Sequence, residues 1–243
     1  MAKKRTAGTV FLGQPMLFDE LLEDSAGLFH WSHDDHHPSV QTIPAGRTVL
    51  RQGGEPEGLI EIVSGTLKLS QVTEDGRQII LGFPRAGEFL GLAGGKEYRH
   101  AAETLTMTQL RLIRWKEFYR QLLQHRSVRE KLLGWFDARE KMMQDHIAIL
   151  SLHSPMSKLA AFLIKQTAQQ AKGGGQDPII LDLPMTQCDI AAYLAIAPET
   201  CSRKMKKLRQ EKIIQTGVRS GAGKLVRILD RERLEELAIG PPL

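Results

Sequence analysis

Cysteine is nearly missing from this chain: its 243 residues contain two, Cys188 and Cys201. Two thiols cannot build a disulfide framework, a four-cysteine iron–sulfur site or a cysteine-rich zinc site. Long apolar runs are missing as well, and none approaches the ~20 residues that a membrane-spanning helix needs. The opening MAKKRTAGTV lacks an apolar signal core followed by a small-residue cleavage site, so the chain is expected in the cytoplasm, with no membrane partner. No P-loop, no HExxH and no nucleophile–base–orienter pattern occurs, which argues against an enzyme. The remaining composition, 42% hydrophobic and 25% charged, is that of a globular chain of one to three domains.

The net charge of +5 is unevenly placed. Between Met185 and Leu229 lie nine basic residues and three acidic ones, a net of +6, so the rest of the chain sums to −1. A basic C-terminal module on a near-neutral body points to a polyanion, with nucleic acid first and an anionic membrane second.

Periodicity divides the chain. From about Val40 to Trp115, short apolar segments (Leu59 to Val63, Thr66 to Val72, Gln78 to Phe83, Thr108 to Ile113) alternate with turn residues such as Gly53-Gly54 and Asp75-Gly76. That spacing predicts an all-β domain, a small barrel or sandwich. From about Ser127 to Leu152 the chain reads as one long helix, on which Leu132, Phe136, Met143, Ile147 and Leu150 recur at helical steps. A one-sided stripe of that length is expected to pack against a copy of itself, with Arg139 as an interruption. Ser154-Pro155 reads as N-cap and first residue of a further helix running to about Ala171, ended by Gly173-Gly174-Gly175.

The most specific signal follows. Thr186 with Asp189 is a capping-box-like start, and Ile190, Ala191 and Leu194 give a short helix its apolar face. Ala195 to Ala197 makes a tight connection, and Pro198 opens a second helix on which Cys201, Met205 and Leu208 form a stripe opposite Glu199, Ser202, Arg203 and Lys206. This is a helix-turn-helix with a polar, mostly basic second helix. Two β segments, Ile213 to Gln215 and Lys224 to Ile228, resemble a wing. Glu199 and Arg203 suit base edges in the major groove, a guanidinium fork matching guanine and a carboxylate accepting from cytosine. Thr186, Lys206, Arg209, Lys212, Arg219 and Lys224 are the expected phosphate contacts.

On these residues the chain resembles the cyclic-AMP receptor protein and fumarate-nitrate-reductase regulator superfamily (CRP/FNR), most closely its FNR and FixK-type branches. The likeness runs from about Ile43 to Leu237 through Ile43-Pro44-Ala45-Gly46, Ile62-Val63-Ser64-Gly65, Gly76-Arg77-Gln78-Ile79, Gly87-Glu88-Phe89-Leu90-Gly91, Leu183-Pro184-Met185-Thr186 and Glu199-Thr200-Cys201-Ser202-Arg203. The last is similar to the E-x-x-S-R pattern of FNR-type regulators. The resemblance implies an α+β protein: an N-terminal arm (1–24), a β-roll sensor-like domain (25–124), a dimerisation helix (125–153) and a winged helix-turn-helix (154–243). It also implies a homodimeric transcription regulator on double-stranded DNA, a two-fold TTGAT/ATCAA-like site read by Glu199, Ser202 and Arg203, and RNA polymerase as partner.

Two departures bear on the signal. Cyclic-nucleotide binders of the family carry a glutamate shortly after the F-x-G turn and then an Arg-Ser pair; here Leu92 follows Gly91, and His100 follows Arg99. FNR-type oxygen sensors carry four ligand cysteines towards the N-terminus, where this chain has none. No cofactor is therefore expected. The cluster His30, His33, His36 and His37, with Asp34 and Asp35, is expected to be a solvated segment beside Trp31; it is also the basis of an alternative, a ligand- or metal-responsive regulator sensing through these histidines or the β-roll. Cys201 belongs to a buried stripe, whereas Cys188, in the first turn of its helix, is the candidate for oxidation that would oppose phosphate binding.

Overall fold

The computed structural model describes residues 38–92, 96–170, 179–218 and 223–239. The expected arm at 1–24, the His30–His37 cluster and Arg219 lie outside these residues. Eight strands come first: β1 (Val40–Ile43), β2 (Thr48–Leu50), β3 (Gly58–Ser64), β4 (Leu67–Val72), β5 (Gln78–Gly82), β6 (Phe89–Leu90), β7 (Ala101–Thr104) and β8 (Thr108–Arg114). They form two antiparallel four-stranded sheets, ordered β1-β8-β3-β6 and β2-β7-β4-β5. Strand alternation sends Leu67 and Leu69 of β4 into the space between the sheets, with Ile62, Leu110 and Ala102, and leaves Lys68 on the other face. Gly58 stands where β3 presses on β8: a Cβ there would lie 2.2 Å from the carbonyl oxygen of Ile113.

Helix α1 (Trp115–Gln124) follows β8 without a break, and α2 (Arg126–Ser151) follows after a single extended residue, His125. The sequence reading contains the long helix to within one residue at each end but not α1. Helix α2 has two working faces. Val128 and Trp135 are buried on the roll beside Phe89 and Phe118, and Ile149 at the far end enters the core of the C-terminal domain. Outward, Leu133, Phe136, Met143 and Ile147 are 69, 45, 59 and 61% exposed. Leu132 is the one expected seam residue placed elsewhere: it packs on the cluster of Phe118, Val128 and Trp135. The outward stripe runs through its neighbour Leu133 instead, giving the alternating three- and four-residue steps of a seam at 133, 136, 140, 143, 147 and 150, with Glu140 in place of an apolar residue. Leu150, at the end of this stripe, is half-buried.

The C-terminal domain comprises α3 (Pro155–Gln170), β9 (Ile180–Leu183), α4 (Gln187–Tyr193), α5 (Pro198–Gln210), β10 (Ile214–Val218), β11 (Lys224–Ile228) and α6 (Arg231–Ile239). Ser154 caps α3 by accepting from the backbone N–H groups of Met156 and Ser157 at 3.1 and 3.4 Å. The wing is a three-stranded antiparallel sheet in the order β10-β11-β9, so Ile180–Leu183 joins the two strands expected from sequence. Gly223 lets β11 close on β9, since a Cβ would sit 2.1 Å from the Leu183 carbonyl oxygen. Phe162, Leu159, Leu163, Ile190, Leu194, Cys201, Met205 and Leu208 form one core, and Ile80 of β5 is buried in the same cluster. The two domains therefore share apolar packing.

Candidate nucleic-acid interface

Local chemistry positions the helix-turn-helix. The capping box at α4 is complete: the Thr186 hydroxyl accepts from the Asp189 N–H at 3.0 Å and donates to Asp189 Oδ2 at 2.7 Å, while the Thr186 N–H donates to the same oxygen at 2.9 Å. The hydroxyl expected to meet a phosphate thus already donates its hydrogen bond to Asp189. Between the helices, Ala195 takes a left-handed φ of +50°, a conformation that an L-residue adopts at a cost of about 1 kcal/mol or more. Pro198 occupies the first turn of α5, where a missing N–H breaks no bond.

Helix α5 ends in a Schellman motif. The Ile213 N–H donates to the Leu208 carbonyl at 3.0 Å and the Lys212 N–H to that of Arg209 at 3.1 Å, with Lys212 left-handed at φ +55° where glycine is usual. Leu208 and Ile213 are both buried beneath it. The stripe of Cys201, Met205 and Leu208 is fully buried against α3 and α4, and the opposite face presents Glu199, Ser202, Arg203 and Lys206 to solvent. Glu199 stands in the first turn and Lys207 and Arg209 in the last, each sign matching the helix dipole. Arg203 reaches Thr200 Oγ1 at 3.3 Å, and Arg209 reaches Thr216 Oγ1 on β10 at 3.4 Å, tying the helix to the wing. Lys212 is exposed and Lys224 half-buried. Cys188 is exposed, whereas burial pushes the Cys201 thiol up to about 11.

Sequence reasoning missed the groups where the domains meet. Lys68 of β4 lies 3.3 Å from Asp189 Oδ1 and 3.5 Å from Glu103 on β7. Arg85 donates to Gln166 Oε1 of α3 at 2.6 Å, and Tyr193 of α4 stacks on His146 of α2 with ring centroids 3.9 Å apart. Burial pushes the Glu88 carboxyl up to about 7, against the pull of the Arg85 backbone N–H and of Arg139, Arg85 and Lys165. None of these pairs has a sequence signal, because their members lie up to 121 positions apart.

Between the roll and α2 is a cavity of about 340 Å³. Among the described residues its basic groups are Arg99, His100 and Arg139, and none of the lining residues is a carboxylate. His100 Nδ1 is buried there without a hydrogen-bond partner, and burial, then Arg139 and Arg99, hold the imidazole below its usual range. Among the described residues no group of three or more His, Cys, Asp or Glu is placed to hold a metal ion, and no helix is long and apolar enough to cross a membrane.

Comparison with known proteins gives this architecture its place. Residues 157–237 match the Crp-like helix-turn-helix domain and residues 40–125 the cyclic nucleotide-binding domain. The transcriptional activatory protein AadR of Rhodopseudomonas palustris is 32% identical over 210 residues, 85% of this chain and 84% of the relative. The nitrogen fixation regulation protein FixK of Rhizobium meliloti is 30% identical over 175 residues, 72% of this chain and 77% of the relative. The fumarate and nitrate reduction regulatory protein of Escherichia coli K12 is 28% identical over 198 residues, 81% and 77% of the two chains. The solved structure of FixK2 from Bradyrhizobium japonicum shares the fold at a TM-score of 0.71 and 24% identity, covering 84% of this chain and 99% of that one. With its β-roll, long helix and helix-turn-helix in this order, the chain belongs to the CRP/FNR family of DNA-binding transcription regulators, near the FNR/FixK branch, and is not an enzyme.

Proposed function

We propose that the chain acts in the cytoplasm as a homodimer on a TTGAT/ATCAA-like palindrome, with one α5 in the major groove of each half-site. The observation that carries this reading is the exposed set Glu199, Ser202 and Arg203 on the face of α5 opposite its buried stripe. Arg203 supplies the fork for guanine O6 and N7, Glu199 the acceptor for cytosine N4, and Ser202 a hydroxyl that serves as donor or acceptor. Lys206, Arg209, Lys212, Arg219 and Lys224 meet phosphates around them, and the cap at Thr186 sets α4 across the backbone. The outward stripe of α2 supports two-fold pairing, since a soluble monomer rarely leaves such a patch uncovered. RNA polymerase is the partner that a bound regulator of this family would recruit or block.

The signal is read as neither an iron–sulfur cluster nor a cyclic nucleotide. Both cysteines lie in the helix-turn-helix, and the roll cavity offers three basic groups and no described carboxylate for a ribose hydroxyl. Fluorescence anisotropy with the palindrome and a scrambled duplex tests the reading. Arg203→Ala is expected to cost about 1 to 3 kcal/mol on the palindrome and much less on the scrambled DNA. Equal losses on both would remove Arg203 from base reading.

A further inference from the structure

We propose that Lys68 is a positioning residue for DNA recognition: it locks the first turn of α4 onto β4 and thereby fixes the spacing between the two recognition helices of the dimer. The proposal rests on the dimeric, palindrome-reading function above.

Asp189 divides its two oxygens between two tasks. Oδ2 closes the capping box with Thr186, and Oδ1 faces Lys68 Nζ at 3.3 Å. Both side chains of this pair are largely enclosed, at 13 and 12% exposure. Lys68 is in turn held from below by Glu103, its register partner on β7, at 3.5 Å. The lysine is therefore anchored in the roll and the carboxylate in the frame of α4, with one interaction joining them.

Beside this pair the contact of α4 with the roll is apolar, with Ile80 in the C-terminal core and the Phe83 ring 5.3 Å from that of Tyr193; further polar ties are Arg85 to Gln166 of α3 and His146 Nε2 to the Tyr193 carbonyl at the far end of α4. Apolar burial is non-directional, and His146 holds only the last turn of α4, so neither fixes the first turn where Asp189 lies. A charged hydrogen bond to a carboxylate already oriented by its cap supplies that direction. The seat leaves the reading face of α5 open, since Glu199, Ser202, Arg203 and Lys206 remain exposed while α4 is docked. Docking and DNA reading are thus compatible, and any rotation of α4 on its seat carries α5 with it.

The test uses the full chain with Lys68→Met, Lys68→Arg, Asp189→Asn and the Lys68→Met/Asp189→Asn double variant. Asparagine keeps an acceptor for the cap and removes the charge. Affinity is measured on duplexes carrying the two half-sites at a series of spacer lengths. The parent is expected to prefer one spacer; Lys68→Met should lose about ten-fold there and discriminate less among spacers. Lys68→Arg should restore both properties, and Asp189→Asn should cost little more in the Lys68→Met background. Unchanged affinity and spacing preference in Lys68→Met, simple addition of the two single losses, or failure of arginine to rescue would overturn the proposal. Should Lys68→Met fail to fold, Asp189→Asn decides the same question from the other side. A parent that binds no palindrome defeats the proposed function, and coupling between the two residues in thermal unfolding then decides by itself whether the lock exists.

Discussion

Met143→Glu is the perturbation that most directly tests the two-fold reading. Burying an aliphatic or aromatic side chain completely is worth about 1.5 to 3 kcal/mol, so Leu133, Phe136, Met143 and Ile147, roughly half to two-thirds exposed, each stand to gain about 1 to 1.5 kcal/mol in a seam. Two copies of the stripe then supply about 8 to 12 kcal/mol, set against an association cost of about 4 to 15 kcal/mol. The margin is small enough for one position to matter. Glutamate at 143 forfeits about 1 kcal/mol on each protomer, and if the two-fold axis brings the two carboxylates to about 6 Å, they repel by about 3 kcal/mol at an effective dielectric of about 20. The sum of about 5 kcal/mol corresponds to a dimer weakened about 10³ to 10⁴-fold. Light scattering at micromolar concentration should show a dimeric parent and a monomeric variant, and palindrome affinity should fall to that of an isolated half-site as the effective concentration of the second module is lost. A variant that remains dimeric, or a parent that is already monomeric, refutes the seam.

Three further outcomes follow from the geometry. Lys224→Ala should weaken binding to palindrome and scrambled duplex alike and flatten the salt slope by about one unit, measured by anisotropy across salt concentrations. Iodoacetamide should label exposed Cys188 in the native protein and leave Cys201 untouched, and peroxide should lower DNA affinity in the parent and in Cys201→Ser but not in Cys188→Ser. Glu88 is raised from 4.5 to about 7, so the folded state holds a proton that the unfolded state has released between these values, and stability is lost as pH rises through that window. Glu88→Gln should therefore raise the melting temperature more at pH 8 than at pH 5, and an equal change at both would contradict a buried carboxyl.

What was legible in the sequence was local. The cap at Thr186, Pro198 at the start of α5 and the stripe of Cys201, Met205 and Leu208 are patterns within a few residues of one another, and each stands where its spacing puts it. The turn-punctuated strands likewise announced the roll. Helix α1 was hidden because ten residues directly after a strand, with aromatics at Trp115, Phe118 and Tyr119, carry no cap or breaker at their start. The slip from Leu133 to Leu132 has a different cause: α2 is apolar on two faces, and periodicity cannot say which faces the roll. Strand β9 was invisible as a wing member because its partner β11 lies beyond two helices and another strand. Asp189 is legible only as the capping partner of Thr186 and Lys68 carries no sequence signal at all; only the docking of α4 on the second sheet gives them to each other.

The two faces of α2 also limit how any signal could reach the DNA. Trp135 and Arg139 line the roll cavity, with the Arg139 guanidinium 5.4 Å from the centre of the Trp135 ring. Phe136 belongs both to that cavity and to the outward stripe, and its ring lies 5.1 Å from that of Trp135. Rotating or translating α2 to accommodate a group in the cavity therefore moves the outward stripe in the same step, because a helix is stiff over these few residues and close-packed neighbours transmit displacement. At its other end the same helix enters the C-terminal core through Ile149 and holds Tyr193 through His146 Nε2, 2.9 Å from the Tyr193 carbonyl oxygen. Cavity, outward stripe and C-terminal core all meet on one helix, so on the proposed two-fold reading a ligand that favours one arrangement of α2 biases dimer geometry and the placement of α5 together.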